Sequence, residues 1–311
     1  MNYLSLIMDF FFPQNITCLI CQKPIDPNNT YSLCKDCFEE MTFIKEECPK
    51  CGKPVINRIN FEKDDDEEDK FTDEDIKEIE DNCIILTENS ESKNAVNLNI
   101  YDDEEYILEK FEEYKDVYGV NKNKDLSSSK VEYSRCKFCE NKNFYFDRAI
   151  SCIEYCDKSK VLVLSLKYYG NTYMSRYIAQ VMRDKLEFEQ LFADYVIPVP
   201  LHKKRMRTRG FNQAEKIASY LSDYTEIPII DCIKRNRNTK RLYALNKFQR
   251  EKELKNAFEV KDGSEEIIGK KIILVDDIFT TGTTVNEISK KLKIYGVDEI
   301  IVLTFLTRNI D

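Results

Sequence analysis

Eight of the twelve cysteines fall into four pairs in which two residues separate the thiols. The pairs are Cys18 and Cys21, Cys34 and Cys37, Cys48 and Cys51, and Cys136 and Cys139. This spacing lets both sulfurs of a pair reach one tetrahedral ion, with Zn–S distances of about 2.3 Å, and two pairs complete a site. The sequence therefore predicts two zinc ions, whose role is structural because four thiolates leave no open coordination position.

The pairs can combine in more than one way. The simplest arrangement joins Cys18 and Cys21 to the second pair, and joins the third pair to Cys136 and Cys139; an interleaved arrangement uses the same residues. Redox-active dithiols are a further alternative for this motif. The other four cysteines, which are expected in an insert or in the core, are Cys83, Cys152, Cys156 and Cys232.

A second candidate site lies in the segment Ile272–Thr284, which reads IILVDDIFTTGTT. Its apolar residues predict a buried strand that ends at Asp276 and Asp277, followed by a loop whose hydroxyls belong to Thr280, Thr281, Thr283 and Thr284. Backbone N–H groups at the start of the next helix bind anions, and Gly282 permits a close approach because it lacks a Cβ. A ribose 5-phosphate suits such a site, because the loop can bind its phosphate while the carboxylates accept hydrogen bonds from its two neighbouring hydroxyls. The alternative is an ordinary N-capped helix.

Positive charge is concentrated directly after the apolar strand predicted at Tyr195–Pro200. The five cations are Lys203, Lys204, Arg205, Arg207 and Arg209. Such a cluster binds pyrophosphate or a nucleic-acid backbone, and the alternative is a solvated surface loop. We interpret His202, the only histidine, as a structural or phosphate-contacting residue rather than a catalytic base. A second basic stretch covers residues 234–252.

Composition excludes several other kinds of site. A single histidine rules out a two-histidine metal site, and the spacing of the eight glycines allows no G-x-G-x-x-G or G-x-x-x-x-G-K-[ST] nucleotide loop. The net charge of −9 argues against a simple basic nucleic-acid-binding protein. Residues 57–135 hold 25 acidic and 11 basic side chains, so the rest of the chain is mildly basic.

Outside this acidic segment, strands alternate with helices, which predicts a parallel α/β sheet covered on both faces. The predicted strands are Phe144–Tyr155, Tyr195–Pro200, Ile229–Ile233, Ile272–Val275 and Ile300–Phe305. The predicted helices are Lys158–Tyr169, Thr172–Leu186, one that starts at Phe211, and one with Val285, Ile288, Leu292 and Tyr295 on one face. We expect a cysteine-rich domain at 1–145, interrupted by a solvated acidic insert at 57–131, and an α/β domain at 146–311.

Further expectations concern two segments of the chain and the setting of the protein. Residues 3–12 are mostly apolar and are expected to pack on the body of the protein, with membrane contact as the alternative. Residues 102–118 have helical spacing within the insert. The N-terminus lacks the basic residues of a signal peptide, and no apolar run reaches about 18 residues, so we expect no membrane span. Metal-type cysteine spacing in a chain of this length favours the reducing cytoplasm.

The string Ile272–Thr284 resembles the phosphoribosyl pyrophosphate (PRPP) motif of type I phosphoribosyltransferases. Residues 1–56 and 132–311 as a whole resemble the ComF family of competence proteins. The further residues that carry this resemblance are the four cysteine pairs, Leu166–Gly170 (LKYYG) and Pro198–Ala214 (PVPLHKKRMRTRGFNQA). The resemblance implies a type I phosphoribosyltransferase fold at 146–311, behind a double zinc ribbon.

The resemblance also implies roles for individual residues. Asp276 and Asp277 are the catalytic candidates and hold the ribose hydroxyls, the loop Thr280–Thr284 holds the 5-phosphate, and Mg²⁺ bridges pyrophosphate and ribose. The residues assigned to pyrophosphate or to a DNA backbone are Lys167, His202, Lys203, Arg205, Arg207 and Arg209. In the region of a mobile hood the family pattern has Gln and Asn where this chain has Leu242 and Glu253.

The function that this resemblance implies is assistance in handling incoming single-stranded DNA during natural transformation, in the cytoplasm, with a DNA helicase as the expected partner. Two alternatives stay open. One is an active phosphoribosyltransferase in nucleotide salvage, with the ribbon as a scaffold. The other is a PRPP-sensing regulator without catalysis. All three share the expectation of a phosphoribosyl ligand.

Overall fold

The computed structural model describes residues 17–26, 30–54, 136–140, 142–237 and 257–308. These residues all belong to one compact unit of the chain. Several expectations lie outside them: the apolar segment at 3–12, the acidic insert at 57–131 with its helix at 102–118, and the hood positions Leu242 and Glu253.

Six strands and six α-helices make up the part of the chain that the structure describes. The strands are β1 (Arg148–Glu154), β2 (Tyr195–Pro198), β3 (Ile233–Arg235), β4 (Phe258–Val260), β5 (Lys271–Phe279) and β6 (Glu299–Thr307). The helices are α1 (Lys35–Glu39), α2 (Asp157–Tyr168), α3 (Met174–Phe188), α4 (Lys203–Arg209), α5 (Gln213–Thr225) and α6 (Thr283–Tyr295). Strands β1, β6, β5 and β2 form a parallel sheet in that order, and β3 pairs with β4 in an antiparallel hairpin.

An apolar layer covers each face of the parallel sheet. Ile273 and Val275 pack in the same cluster as residues of α3 and α5. Ile272 and Leu274 pack in a second cluster, which contains Ile288 of α6. Because successive residues of a strand point to opposite faces, the continuous apolar run of β5 supplies both layers. The predicted fold class, a parallel sheet flanked by helices, is confirmed.

The predicted helices are confirmed with ends that differ by a few residues, but three predicted strands need correction: β1, β3 and, at its end, β5. Strand β1 starts at Arg148, four residues later than predicted. The predicted strand Ile229–Ile233 is wrong, because Ile229 makes a single parallel bridge to Val196 and β3 begins only at Ile233, where pairing with β4 sets its register. Among the described residues, no helix is long and apolar enough to cross a membrane.

The cysteine-rich segment covers the outer edge of the sheet. The Ile44 N–H donates to the Cys152 carbonyl at 3.0 Å, and the Glu154 N–H donates to the Thr42 carbonyl at 2.9 Å. These bonds satisfy backbone groups of β1 that face away from its sheet neighbour β6. The ribbon therefore acts as a partner for the edge strand.

Four charged side chains join the same segment to the helical layer. Lys185 of α3 lies 3.3 Å from Glu47 Oε2 and 3.1 Å from Glu189 Oε1. Arg148 of β1 lies 2.9 Å from Glu47 Oε1 and 2.6 Å from Glu189 Oε2. Burial raises the pKa of the Glu47 carboxyl, so the two cations are needed to keep it ionised. This network fixes the cysteine-rich segment against β1 and α3.

Candidate functional site

The loop that joins β5 to α6 is built around Gly282. This residue takes a left-handed conformation with φ 74°, and α6 begins at the next residue, Thr283. A Cβ at Gly282 would lie 2.7 Å from Cζ of Phe279 and 3.3 Å from Cε1 of Phe144, so only glycine fits without a shift. The hydroxyl oxygens of Thr281 and Thr283 lie 2.8 Å apart. Hydroxyls and the start of a 13-residue helix therefore converge in one place, an arrangement that suits an anion.

The acidic pair lies inside β5 rather than at its end. The strand continues to Phe279, because its last residues still pair with β6, so the predicted end at Val275 is too early. Asp277 is 4% exposed, and its Oδ2 lies 2.5 Å from Nζ of Lys167. Asp276 Oδ1 accepts a hydrogen bond from the Asp277 N–H at 2.9 Å. Lys167, which the resemblance assigns to pyrophosphate or DNA, thus neutralises a carboxylate of the acidic pair in the structure.

The charge of Asp276 depends on its neighbours. Burial and the neighbouring Asp277 carboxylate raise the pKa of Asp276 to about 8, and the Lys167 ammonium acts in the opposite direction. A carboxyl group in this situation retains a proton near neutral pH. A cation bound beside Asp276 would favour its ionised form and release that proton.

The basic segment after β2 is a short helix, α4, rather than the surface loop considered for it. His202 caps its start, where Nδ1 accepts from the Lys204 N–H at 3.1 Å, and Gly210 ends it with a φ of 83°. Partial burial and the cations Arg235 and Arg205 lower the pKa of His202. A neutral imidazole is what the cap requires, because the protonated ring has no acceptor nitrogen.

The cations of α4 divide into exposed and engaged residues. Lys203, Lys204 and Arg207 are exposed to solvent. Arg209 is half-buried, and its guanidinium lies 5.7 Å from the ring centre of Tyr168, the last residue of α2. The Tyr168 side chain is itself 49% exposed. Charge and an aromatic surface therefore occur together at this position.

Arg235 of β3 is a buried cation that the sequence pattern does not single out. Its side chain is 9% exposed, and the parallel bridge from Ile229 to Val196 directs this segment toward the same end of the sheet as β2. Burial and the Arg205 guanidinium lower the pKa of Arg235 to about 10, and Asp276 opposes that effect. The available signal is strand periodicity, which puts Arg235 on the same side of β3 as the apolar residue two positions earlier.

The paired cysteines come together in two groups of four. The groups are Cys18, Cys21, Cys34 and Cys37, and Cys48, Cys51, Cys136 and Cys139, with the sulfurs of each group within 4.8 Å of one another. The Sγ separations are 3.5 Å for Cys21 and Cys34 and 3.6 Å for Cys51 and Cys136. Four sulfurs around a tetrahedral zinc ion stand about 3.8 Å apart, so both groups suit zinc. The grouping is the simplest one that the sequence allows.

The remaining cysteines have other roles. Cys152 and Cys232 are buried, as expected of core residues. The expectation for Cys156 is wrong, because it is only partly buried: its sulfur accepts from the Ser159 N–H at 3.5 Å and caps the start of α2. Cys83 lies outside the described residues.

We expect the purified protein to contain two zinc ions per chain, measured by inductively coupled plasma mass spectrometry. Because four-cysteine ribbons fold around their metal, chelation should also open the cysteine-rich segment to limited proteolysis. The α/β core, which has its own apolar layers, serves as the internal control and should be cleaved later. Protein that folds and resists protease without bound metal would contradict both zinc sites.

Comparisons with known proteins agree with this architecture. A family model described as a double zinc ribbon domain matches residues 7–70, and one described as a phosphoribosyl transferase domain matches residues 206–311. The boundary expected at residue 145 stays a prediction.

The chain is similar to proteins of several bacteria. Competence protein F from Haemophilus influenzae is 32% identical over 180 residues, which are 55% of this chain and 79% of that protein. DNA utilization protein YhgH from Escherichia coli is 30% identical over 167 residues, 50% of this chain and 70% of that protein. Among solved structures, the allosteric regulatory enzyme of purine biosynthesis matches with a TM-score of 0.29 and 22% identity, over 42% of this chain and 26% of that one. The chain thus spans about a quarter of that enzyme's length.

The fold and the two family models define a phosphoribosyltransferase-fold protein with an N-terminal double zinc ribbon. The match to competence protein F covers most of that relative. The chain belongs to the ComF family of competence proteins.

Proposed function

We propose that the β5–α6 loop and the acidic pair bind a phosphoribosyl ligand, PRPP or a close relative. The observation that carries this proposal is Gly282, a left-handed glycine at the start of a 13-residue helix, which directly follows a strand with two adjacent carboxylates. The loop Thr280–Thr284 offers backbone N–H groups and hydroxyls to the 5-phosphate. Asp276 and Asp277 accept hydrogen bonds from the ribose hydroxyls.

The cations beside this loop are proposed to bind pyrophosphate. Arg205 and Arg235 lie close enough for one guanidinium to disfavour the charge of the other, and an anion between them would relieve that repulsion. The exposed Lys203 adds a third positive charge from α4. Asp276 fits Mg²⁺, an ion held by one or two carboxylates together with substrate phosphates, because a cation there stabilises the ionised carboxyl. When bound, Mg²⁺ would neutralise the developing charge of a departing pyrophosphate.

The first test is thermal unfolding of the full chain with PRPP and Mg²⁺. Ligand at 100 times its dissociation constant stabilises the folded state by about 2.7 kcal/mol, which raises the Tm by about 4 °C for a chain of this size. We expect a smaller rise without Mg²⁺. Sodium chloride at matched ionic strength is the control for unspecific salt effects. An unchanged Tm at millimolar PRPP and Mg²⁺ would contradict a phosphoribosyl site.

The names of the relatives favour a role in DNA handling. We propose that the protein assists the uptake of single-stranded DNA, and that it acts in a reducing cytoplasm because its thiols are grouped as metal ligands. The exposed cations Lys203, Lys204 and Arg207 can follow a phosphate backbone, and the exposed ring of Tyr168 can stack with a base. A DNA helicase is the partner that this role implies.

We expect the full chain to bind single-stranded DNA in a salt-dependent way through α4. Replacement of Lys203, Lys204 and Arg207 with alanine should weaken binding roughly tenfold or more. It should also reduce the slope of log affinity against log salt concentration by about 2, because the phosphates that lose a contact keep their counterions. Fluorescence anisotropy at several salt concentrations measures both quantities. The matched control replaces three exposed lysines elsewhere, Lys23, Lys35 and Lys216. Equal effects of the two triple variants would show that α4 is not the DNA site.

Catalysis is a second candidate function, favoured by the phosphoribosyl transferase domain that matches residues 206–311. The reaction would expel pyrophosphate from C1 of the ribose while a nucleophile adds, and the carboxylates of Asp276 and Asp277 would stabilise the cationic sugar. Release of pyrophosphate from PRPP in the presence of nucleobases or amines would show this activity. Binding without release across that panel would favour DNA handling or PRPP sensing.

A further inference from the structure

The second cysteine group packs against the loop that is proposed to bind phosphate. Its last pair, Cys136–Cys139, encloses Phe138, whose ring centre lies 6.3 Å from that of Phe279 in an edge-on arrangement. The same ring lies 6.2 Å from Phe144, which stacks on Phe146 at 4.7 Å. Since Phe279 is the last residue of β5, these rings connect the metal group to the start of the loop.

The residues around these rings also contact the β5–α6 loop directly. The rings of Phe279 and Phe144 are the groups that a Cβ at Gly282 would meet, so both lie directly against the backbone of the loop. Asn286, in the first turn of α6, accepts from the Tyr145 N–H at 2.7 Å and donates to the carbonyl two residues earlier in that segment at 3.2 Å. The segment that follows the last cysteine pair therefore contacts the loop and the helix start together.

The first cysteine group packs on the other apolar layer of the sheet. Cys18 and Cys37 belong to the cluster that contains residues of α3 and α5. Phe38, which follows the pair Cys34–Cys37, lies 5.1 Å from the ring of Phe43. Two groups of the same composition thus occupy opposite faces of one sheet, and Cys48, Cys51 and Cys139 share a cluster with Phe279 and α6.

We propose that the second cysteine group positions the phosphate loop: through Phe138 and Phe144, it holds Gly282 and the first turn of α6 in one arrangement. A metal ion in the second cysteine group then determines how well ordered the loop is, whereas a metal ion in the first group does not. The consequence for ligand affinity rests on the proposed function, whereas the order of the loop can be measured without any ligand. Phe138 acts through its neighbours and is a positioning residue.

The test compares Phe138→Leu with the matched variant Phe38→Leu, which alters the corresponding region of the first group. Hydrogen–deuterium exchange of the full chain without added ligand reports the first hydrogen-bonded amides of α6, at residues 286–288. We expect Phe138→Leu to speed their exchange roughly fivefold to tenfold while zinc content stays at two per chain. Phe38→Leu should change it less than twofold. Unchanged exchange in Phe138→Leu with both metals retained would overturn the proposal.

A second pair of variants removes one ligand from each group. Cys136→Ser and Cys34→Ser should each lower the zinc content to one per chain, but only Cys136→Ser should speed exchange at residues 286–288. If Cys136→Ser does not fold, Phe138→Leu decides the question. PRPP affinity is measured separately by calorimetry, with about fivefold weakening expected for Phe138→Leu. If the wild-type chain does not bind PRPP but Phe138→Leu still speeds exchange at residues 286–288, the proposed ligand is refuted and the positioning role is supported.

Discussion

Replacement of Asp277 with asparagine is expected to weaken the Mg²⁺-dependent binding of PRPP roughly 100-fold. The carboxylate is 4% exposed and lies next to Asp276, directly before the glycine loop. Hydrogen bonds from ligand hydroxyls to a buried charged group contribute about 1.5 to 3 kcal/mol, which corresponds to this loss of affinity. Isothermal titration calorimetry measures it, and Asp223→Asn, an exposed carboxylate of α5, is the control.

The same change has a structural effect that must be separated from binding. Asp277→Asn leaves the Lys167 ammonium without its ion-pair partner at 2.5 Å, which costs about 3 kcal/mol of stability. The double variant Asp277→Asn/Lys167→Met removes both charges and should recover much of that stability. We expect its PRPP affinity to stay low. Recovery of affinity together with stability would show that Asp277 serves the ion pair and not the ligand.

Replacement of Gly282 with alanine is expected to weaken PRPP binding roughly 10- to 100-fold. The new Cβ would lie 2.7 Å from the Phe279 ring, so the ring or the loop must move at a cost of about 1 to 3 kcal/mol. The left-handed backbone at φ 74° adds a further penalty for any residue with a Cβ. A displaced loop no longer directs its N–H groups at one phosphate position, and calorimetry measures the loss.

Gly263→Ala is the matched control for this loop. Gly263 lies in the turn after β4 with a φ of 78°, but a Cβ there would meet nothing within 4 Å. Both variants therefore carry the left-handed penalty of about 1 to 2 kcal/mol, and only Gly282→Ala adds steric overlap. PRPP affinity should be unchanged in Gly263→Ala. Equal losses of affinity in the two variants would contradict a specific role for the loop.

Features that depend on neighbours in sequence could be predicted. The run of apolar residues from Ile272 identifies β5, and the helical spacing of Val285 and Ile288 identifies α6, because both patterns repeat over a few residues. The C-x-x-C pairs predicted two metal groups for the same reason. The ends of β3 depend on its pairing with β4, which the local pattern does not show. The predicted strand Ile229–Ile233 therefore starts too early.

Features that depend on distant segments could not be predicted. The pair of Lys167 and Asp277 joins residues 110 positions apart, and no spacing rule indicates it. In the sequence, Arg235 is one of many basic residues. Only the folded β3–β4 hairpin buries it near Asp276. The contact of Phe138 with Phe279 arises only when the last cysteine pair docks on the α6 side of the sheet. These tertiary contacts bring together residues from separate motifs.

The most direct test of the phosphoribosyl site is a crystal structure of the full chain with PRPP and Mg²⁺. We predict that the 5-phosphate lies within hydrogen-bond distance of the backbone N–H groups between Thr281 and Thr284, with the ribose hydroxyls at Asp276 and Asp277. We also predict that the pyrophosphate contacts Arg235. Density for the ligand at another position, with the β5–α6 loop empty at saturating ligand, would contradict the account.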